Sequence, residues 1–600
     1  MKQAHIWKNM GFLFMDSKIF TFNKIKIDAY TIFIGSITLF YVIFSHYLQL
    51  NRSGVGLELP FNAMGWIPIS WAIGVGLHLI AVEKQFYYDA LIVKLFIFSC
   101  FLAFPFFFPS ANQDDTFDRI IGLFAGLLLL VSLQQFQLNE DKKITLLLLV
   151  VIAVWVELII GWDRFLRSLG IGISESRPIW MGAPHGIFQQ RNVFASFIAT
   201  GVVLSAYILG YSGKVNGKVF KAYYIVLVLL PAASIHLLTA MASRTGWLGV
   251  LLGTTFILPF MVKNASRIIS ICWISSVVAG FLITMTLEQK SQWEAPQREL
   301  VDISGLRQVH FPQTIGMISE KPLFGYGYGT FESSYLYYAA EKFANEENKL
   351  PGVSLLDHPH NEIMFWGAEG GLYAIALLLL MAWAVWKRVV VLPVIHLFAV
   401  IGIFFPIVLH TQVEYPFYQS VLHWVTFVIF IYWADQLTSE FKIINIETVL
   451  VIRFGAFLIP VVGTIFLVTT LHAGYLLARF DSDIDPDVEK LASISNPIVF
   501  RDRINWAIMS RLVLQGAIYN RPELVQPYID WAPDLLARKP RPNFYRFLML
   551  AYQVVGDQEN FQKTLNEARY LFPDTTFDIP RVGVEQITSA PFEVIDRNPE

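Results

Sequence analysis

The sharpest chemistry in the sequence lies at 355–380, LLDHPHNEIMFWGAEGGLYAIALLLL. His358, His360, Asn361 and Glu362 crowd the start of a long apolar run, and Glu369 lies inside it. A histidine there can serve as a general base near neutral pH, or donate a hydrogen bond. On a helix, Glu362 and Glu369 share one face, flanked by Trp366. His360 and Glu369 fall on roughly opposite sides, about 13 Å apart along the axis. That is too far to hold one substrate atom jointly. His358-x-His360 with one Glu is also the beginning of a metal site, but the pattern is weak, and no metal is expected. The plain alternative is a polar helix cap. Gly367, Gly370 and Gly371 let another helix approach closely.

Four more polar groups stand out. In GAPHGIFQQRNVFASFIATG (182–201), Gln189, Gln190, Arg191 and Asn192 open a helix whose free N–H groups and dipole favour an anion. In ASRTGW (242–247), Arg244 starts an apolar run. It either grips a phosphate bidentately or snorkels to headgroups. The stretch GLRQVHFPQTIGMISEKPLFGYGYGTFE (305–332) offers Arg307 as a second phosphate ligand, an amphipathic helix over 306–319, and a glycine-spaced turn. The turn lacks the GKS/T ending of a Walker loop. Finally, LHTQVEYPFYQS (409–420) holds His410, Glu414, Tyr415 and Tyr418. An aromatic belt explains the tyrosines, but not Glu414.

The elements that position these groups follow from composition. The 600 residues are 55% hydrophobic and only 15% charged, with 50 Phe and 16 Trp. The mean hydropathy is +0.51. No soluble fold of this length buries so much apolar surface under so little charge. A cytosolic enzyme, a disordered chain and a collagenous chain are excluded. The net charge of −2 argues against a nucleic-acid partner. Cys100 and Cys272 both sit in apolar runs and imply no disulfide framework. The start MKQAHIWKNMGFLF lacks a small-residue cleavage site, so no removable signal peptide is expected.

The spacing predicts an all-α polytopic membrane protein with about thirteen spans. They fall near 29–47, 64–82, 89–108, 119–137, 145–161, 192–211, 222–239, 245–262, 268–286, 362–386, 389–409, 420–436 and 454–473. The organisation is a 1–28 cytoplasmic segment, nine spans over 29–286, a large loop at 287–361, four spans over 362–473, and a tail at 480–600. With a cytoplasmic N-terminus, Lys and Arg concentrate inside, at Lys2, Lys8, Lys18, Lys24, Lys26, Lys84, Lys142, Lys143, Lys214, Lys218, Lys221, Lys263, Arg267, Lys387, Arg388, Lys442 and Arg453. Fewer lie in the short outer loops: Arg52, Arg119, Arg164, Arg167, Arg177, Arg191 and Arg244. The polar groups, the large loop and the tail then share the outer side. The tail carries two amphipathic helices joined at Gly556-Asp557, like one tetratricopeptide hairpin. It is either a helical cap or a docking surface. A transporter would place ionisable groups near the midplane in repeated halves. Here they lie at one face, and no repeated halves are evident.

The pattern His360, Glu369, Gly371 after a long loop carrying Arg307 and KPLFGYGYGTF resembles the superfamily of O-antigen ligases and O-antigen polymerases. The GIFQQRN stretch, the EYPFY loop and the tail look more like its bacterial pilin O-oligosaccharyltransferases. The likeness covers roughly residues 150–440, more loosely the tail. It implies an inner-membrane glycosyltransferase with its site and tail in the periplasm. The donor is an oligosaccharide on undecaprenyl diphosphate, and the acceptor a Ser or Thr hydroxyl of a periplasmic protein, often a type IV pilin. Neither metal nor cofactor is implied. By motif, His360 matches the essential histidine, Gln190 the loop glutamine, and Arg244 the S-R arginine. Tyr415 or Tyr418 matches a functional tyrosine. Glu369 is the motif acid, which either assists catalysis or orients His360. Arg191, Asn192, Arg307, Asn361, Glu362, Glu414 and Tyr418 complete a set expected around diphosphate and glycan. The alternatives are a lipid A core acceptor (a ligase), a growing glycan (a polymerase), and, more remotely, a secondary transporter.

Overall fold

A computed structural model describes residues 19–22, 25–168, 184–211, 217–288, 302–346, 350–482, 484 and 487–578. Lys2, Lys8, Lys18, Lys24, Arg177 and Lys214, counted above for orientation, lie outside these residues. So do parts of 162–191 and 287–361, and the end of the tail.

The chain is an all-α, multi-pass membrane protein. Its helices are α1 (Ala29–Val42), α2 (Pro60–Glu83), α3 (Ala90–Ala103), α4 (Gln113–Gln135), α5 (Glu140–Ser168), α6 (Arg191–Tyr211), α7 (Gly217–Ala240), α8 (Arg244–Asn264) and α9 (Arg267–Glu288). Then come α10 (Asp302–Glu320), α11 (Phe331–Asn345), α12 (Glu362–Val389), α13 (Val394–Thr411), the short α14 (Pro416–Gln419), α15 (Val421–Gln436) and α16 (Leu450–Asp481). The tail holds α17 (Val488–Ala492), α18 (Arg501–Tyr519), α19 (Pro522–Arg538), α20 (Pro542–Val555) and α21 (Gln558–Leu571). Strands form two small antiparallel ribbons, β1 (Ile19–Phe22) with β2 (Ile25–Asp28), and β3 (Gln85–Tyr88) with β4 (Lys442–Asn445).

Among the described residues, 12 helices are long and apolar enough to cross a membrane. The thirteenth expected span is α15. It has 16 residues, links the 412–420 loop to Asp435, and is buried along nearly its whole length by its neighbours. Helix ends alternate between two faces. The 184–190 segment, the start of α8, residues 307–346 and 350–361, residues 412–420 and the described part of the tail gather at one, here the loop face. The other carries the β3–β4 ribbon and a cluster in which Arg388 binds Asp89 (2.5 Å) and Asp435 (3.0 Å).

Helix α6 is the axis of the bundle, with every side chain from Val193 to Tyr211 buried. Small residues allow this. Gly246 meets Ala195, and Gly249 meets Pro406, so backbones approach closely where lipid-like side chains give no hydrophobic drive. The packing carries α8 against both α6 and α13.

Helix α12 is broken at Gly371, whose φ of 65° and ψ of −164° leave the helical region. The break frees backbone groups that no water can satisfy inside a membrane. The glycine-spaced turn supplies their partners. The N–H groups of Leu372 and Tyr373 donate to the carbonyls of Pro322 (2.7 Å) and Leu323 (3.2 Å). Those of Tyr326 and Gly327 donate to Ala368 and Glu369 (both 2.9 Å). The PLFGYGYG stretch thus plugs the broken helix. From there the chain runs into α11, which packs with α10 and the tail helices α18 to α21 in one apolar core. The tail contains a second helical hairpin, α18–α19, before the expected α20–α21 pair.

A Cβ at residue 371 would run into the Leu323 carbonyl at a φ that side chains disfavour. Gly371→Ala is therefore expected to cost about 1–3 kcal/mol, read as a lowered thermal midpoint in detergent. An unchanged midpoint would show that the break does not depend on glycine.

Candidate functional site

Two loops bring the site together at the loop face. The first, 355–361, ends at Asn361, whose side chain caps α12 by accepting the Met364 N–H (2.9 Å) and donates its own amide to the Gln412 carbonyl (3.0 Å). This crosslink ties the first loop to the second, 412–420. His360 sits between them with φ 51°, a left-handed value uncommon for histidine.

Glu414 is the hub. It is only 7% exposed. Its Oε2 lies 2.8 Å from His360 Nδ1 and 3.6 Å from His358 Nε2, and its Oε1 lies 3.7 Å from the Arg307 guanidinium. Arg307 also donates to the Val413 carbonyl (2.8 Å). His358 reaches Asp357 through Nδ1 (2.5 Å) and stacks on the Tyr415 ring. A third imidazole, His310, lies with its centroid 5.6 Å from that of His360.

The electrostatics follow from these contacts. Burial opposes ionisation of Glu414, yet the nearby His358 imidazole and the hydrogen-bonded His360 outweigh it and hold the carboxyl well below its usual range. Burial likewise opposes charge on His358, but Asp357 and then Glu414 raise its value above the ordinary one. Desolvation pushes the Tyr415 and Tyr418 phenols up, so both are neutral donors. Because ionised Glu414 can only accept, His360 Nδ1 carries the proton. In the neutral ring Nε2 then has the lone pair. The side chain is 30% exposed, so that nitrogen can meet a substrate proton.

The other anticipated residues fall into two groups. Tyr418 O–H and Trp366 N–H both donate to Glu362 Oε1, at 2.9 and 2.8 Å. Glu369 is bound elsewhere, by Arg119 and by the Phe331 N–H (3.2 Å). The motif acid therefore does not orient His360; Glu414 does. His358 belongs to the same network.

The second group is the 184–192 segment. It is anchored from below by Glu157, fully buried, which accepts the Ile187 N–H (2.9 Å) and bonds His46 (2.6 Å). Gln189 donates to Asn51 (2.5 Å), and Gln190 and Arg191 follow at the start of α6. Asn192 accepts from Ser243 (2.9 Å), which caps α8 and so sets the position of the exposed Arg244. The Q-R-N and S-R motifs are thus joined by one hydrogen bond.

A cavity of about 1180 Å³ opens beside this site. Arg119, Glu362, Gln412 and Tyr418 line its polar end at the loop face. It runs between α4, α12, α13 and α15, lined almost wholly by apolar side chains, to Val389 and Val400 near the opposite face. Sequence reasoning missed Asp357, His310 and Arg119 as parts of the site. Arg119 was counted only as a loop charge, although its place at the head of an apolar run was a usable signal.

Glu414, depressed, stabilises the fold above the ordinary carboxylate range and loses that effect as pH falls. His358, raised, stabilises it below about pH 6.5 and loses that effect as pH rises through its elevated value. Glu414→Gln should therefore lower the titration midpoint of His358, followed by ¹⁵N imidazole shifts. It should also lower the thermal midpoint more at pH 6 than at pH 9. Equal losses at both values would remove the charged pair from the account.

Three family models match separate stretches of the chain. The protein glycosylation ligase model matches 184–209, over the Q-Q-R-N segment. The O-antigen ligase model matches 229–379, from α7 through Arg244, Arg307, His360 and Glu369. The model of the virulence factor membrane-bound polymerase C-terminal region matches 398–585, over Glu414, both tyrosines and the tail. Comparison with curated proteins gave no match.

Proposed function

Because the chain belongs to the O-antigen ligase and polymerase superfamily, we propose that it transfers a preassembled oligosaccharide from undecaprenyl diphosphate to Ser or Thr hydroxyls of a periplasmic acceptor protein, such as a type IV pilin. The observation that carries this reading is the His360–Glu414 pair at 2.8 Å, which leaves the outward imidazole nitrogen as a base. The acceptor hydroxyl oxygen attacks the anomeric carbon, its proton passes to His360 Nε2, and the bond to the diphosphate breaks. Undecaprenyl diphosphate leaves with the bonding pair. Glu414 stabilises the imidazolium so formed.

The leaving group gains negative charge as its bond breaks. Arg307 and Arg244, with the start of α6 carrying Gln190, Arg191 and Asn192, supply positive potential for it. The apolar cavity is suited to a long isoprenoid chain, and its polar end opens near Glu362 and Tyr418, which suit sugar hydroxyls. No metal enters this scheme. The protein acceptor is favoured over lipid A core by the glycosylation ligase match at 184–209. The polymerase match over 398–585 keeps a growing glycan as the second reading, because it includes the tail.

The inside-positive charge bias supports a periplasmic loop face. Alkaline phosphatase fused downstream of Asp481 should accordingly be active; an inactive fusion beside an active cytoplasmic reporter would reverse the orientation.

The central test uses purified protein, lipid-linked oligosaccharide and three acceptors: pilin, lipid A core and a free glycan. Pilin should be glycosylated. His360→Ala should slow transfer by about 10²–10⁴-fold without lowering membrane abundance, and a chelator should leave the rate unchanged. Parent-like turnover by His360→Ala would remove the histidine from the mechanism. Transfer only to lipid A core or glycan would replace the acceptor. Chelator inhibition reversed by a divalent ion would install a metal.

A further inference from the structure

The loop that carries Glu414 ends in a sharp junction. The short helix α14 stops at Gln419, α15 starts at Val421, and Ser420 between them is extended, with φ −149° and ψ 109°. Helices leave carbonyls without partners at their ends and N–H groups without partners at their starts. The Gln419 carbonyl and the Val421 N–H are two such groups, one on each side of Ser420. All three residues are buried, where an unpaired polar group is costly.

One side chain meets both needs. Asn62, in the first turn of α2, is 2% exposed. Its Oδ1 accepts the Val421 N–H (2.8 Å), and its Nδ2 donates to the Gln419 carbonyl (3.2 Å). Nδ2 also donates to the Gly56 carbonyl (2.9 Å), in the connection between α1 and α2. A neutral amide offers two donors and an acceptor at once; a carboxylate has no donor and a hydroxyl only one. Both amide hydrogens are used on backbone, so Asn62 is placed to hold the loop and not to bind substrate.

The start of the same loop is held in a similar way. Asn361 donates to the Gln412 carbonyl (3.0 Å), and Arg307 to that of Val413 (2.8 Å). Between these anchors and Asn62 stand the residues that the site uses. Glu414 faces the histidines, Tyr415 stacks on His358, and Tyr418 donates to Glu362 (2.9 Å). Tyr418 directly precedes Gln419, so it is the site residue nearest in the chain to the Asn62 clasp. Asn62 and Tyr418 both line the cavity.

We propose that Asn62 is a positioning residue of the reaction centre: by joining Gln419 to Val421 it fixes the exit of the 412–420 loop, and with it the place of Tyr418 against Glu362. Helix α2 is thereby part of the frame on which the site is built. This rests on reading the loop face as the reaction centre, so the first measurement below does not depend on turnover.

Full-length protein in nanodiscs carries meta-fluorotyrosine in place of Tyr418 and is compared as parent, Asn62→Ala, Asn62→Asp and Glu362→Ala. The ¹⁹F resonance reports the hydrogen bond to Glu362. In Asn62→Ala it should move from the parental position toward that of Glu362→Ala. Hydrogen exchange over 412–420 should rise while α6 and α8 keep parental protection. Asn62→Asp keeps the shape of the side chain. Burial favours its neutral carboxyl, which can donate to Gln419 and accept from Val421. Its ¹⁹F difference from the parent should therefore be smaller at pH 6 than at pH 9. In transfer assays Asn62→Ala should lose about ten- to a hundredfold in kcat, with the KM for acceptor unchanged. Asn62→Ala combined with Tyr418→Phe should be no slower than the worse single variant, within about twofold, because both act through one contact. An unmoved ¹⁹F resonance in Asn62→Ala would overturn the proposal, as would additive losses in the double variant. If Asn62→Ala does not insert, Asn62→Asp decides, and a ¹⁹F difference that ignores pH would overturn the clasp. If the parent itself transfers no glycan, the reading of function fails, and the ¹⁹F and exchange comparisons still decide the role of Asn62.

Discussion

Inside a bilayer a broken helix must find new partners for its backbone, and the loop face of this protein is organised around that obligation. Helix α12 breaks at Gly371. Four hydrogen bonds from the 322–327 turn and to it close the gap. The same turn delivers α11, and with it the platform on which the tail rests. Glu369, at the break, pins the first residue of α11 and holds Arg119 of α4. A sequence motif that reads as catalytic is thus in part the joint of the scaffold. The histidine at its other end faces a different acid.

That acid, Glu414, itself buried, gathers two imidazoles and an arginine. Charges in such surroundings interact strongly and are costly when left unpaired. The arrangement meets both demands, because every group nearby of one sign faces a group of the other. It also divides labour. Asp357 and Glu414 favour the charged form of His358, and Glu414 sets the tautomer of His360. One histidine steadies the acid, while its neighbour is left with a lone pair toward solvent.

Much of this was legible in the sequence. The apolar runs gave the helices, because length and composition alone decide whether a segment can span. The clusters at 189–192, 244, 307, 358–362 and 414–418 were recognisable, because polar residues are scarce in such a chain and cost free energy near lipid. Pairings were not legible. Glu369 and His360 sit in one motif, and their helical spacing already argued against a shared substrate atom, yet nothing local names Glu414, far along the chain, as the partner. Arg119, Asp357 and His310 were passed over for the same reason. Their importance comes from tertiary contacts across many helices. The shortness of α15 was also hidden, since an apolar run looks alike whether it faces lipid or protein.

The burial of α6 on every side bears on how the protein is made. Several of its polar side chains also bond residues synthesised much later. Ser196 bonds His410 (2.7 Å) and His423 (2.9 Å), Ser205 takes the indole N–H of Trp273 (2.9 Å), and Tyr207 that of Trp433 (2.7 Å). As the nascent chain leaves the ribosome, α6 enters the lipid before those partners exist. Meanwhile its hydroxyls bond to carbonyls of their own helix, Ser196 to Val193 (3.0 Å) and Ser205 to Val202 (2.7 Å), and the bonds between helices form only when α9, α13 and α15 arrive. The order of translation therefore sets the order of assembly, and the central helix is completed only by the last third of the chain. A chain that stops before α15 lacks the Trp433 and His423 bonds that complete the central helix.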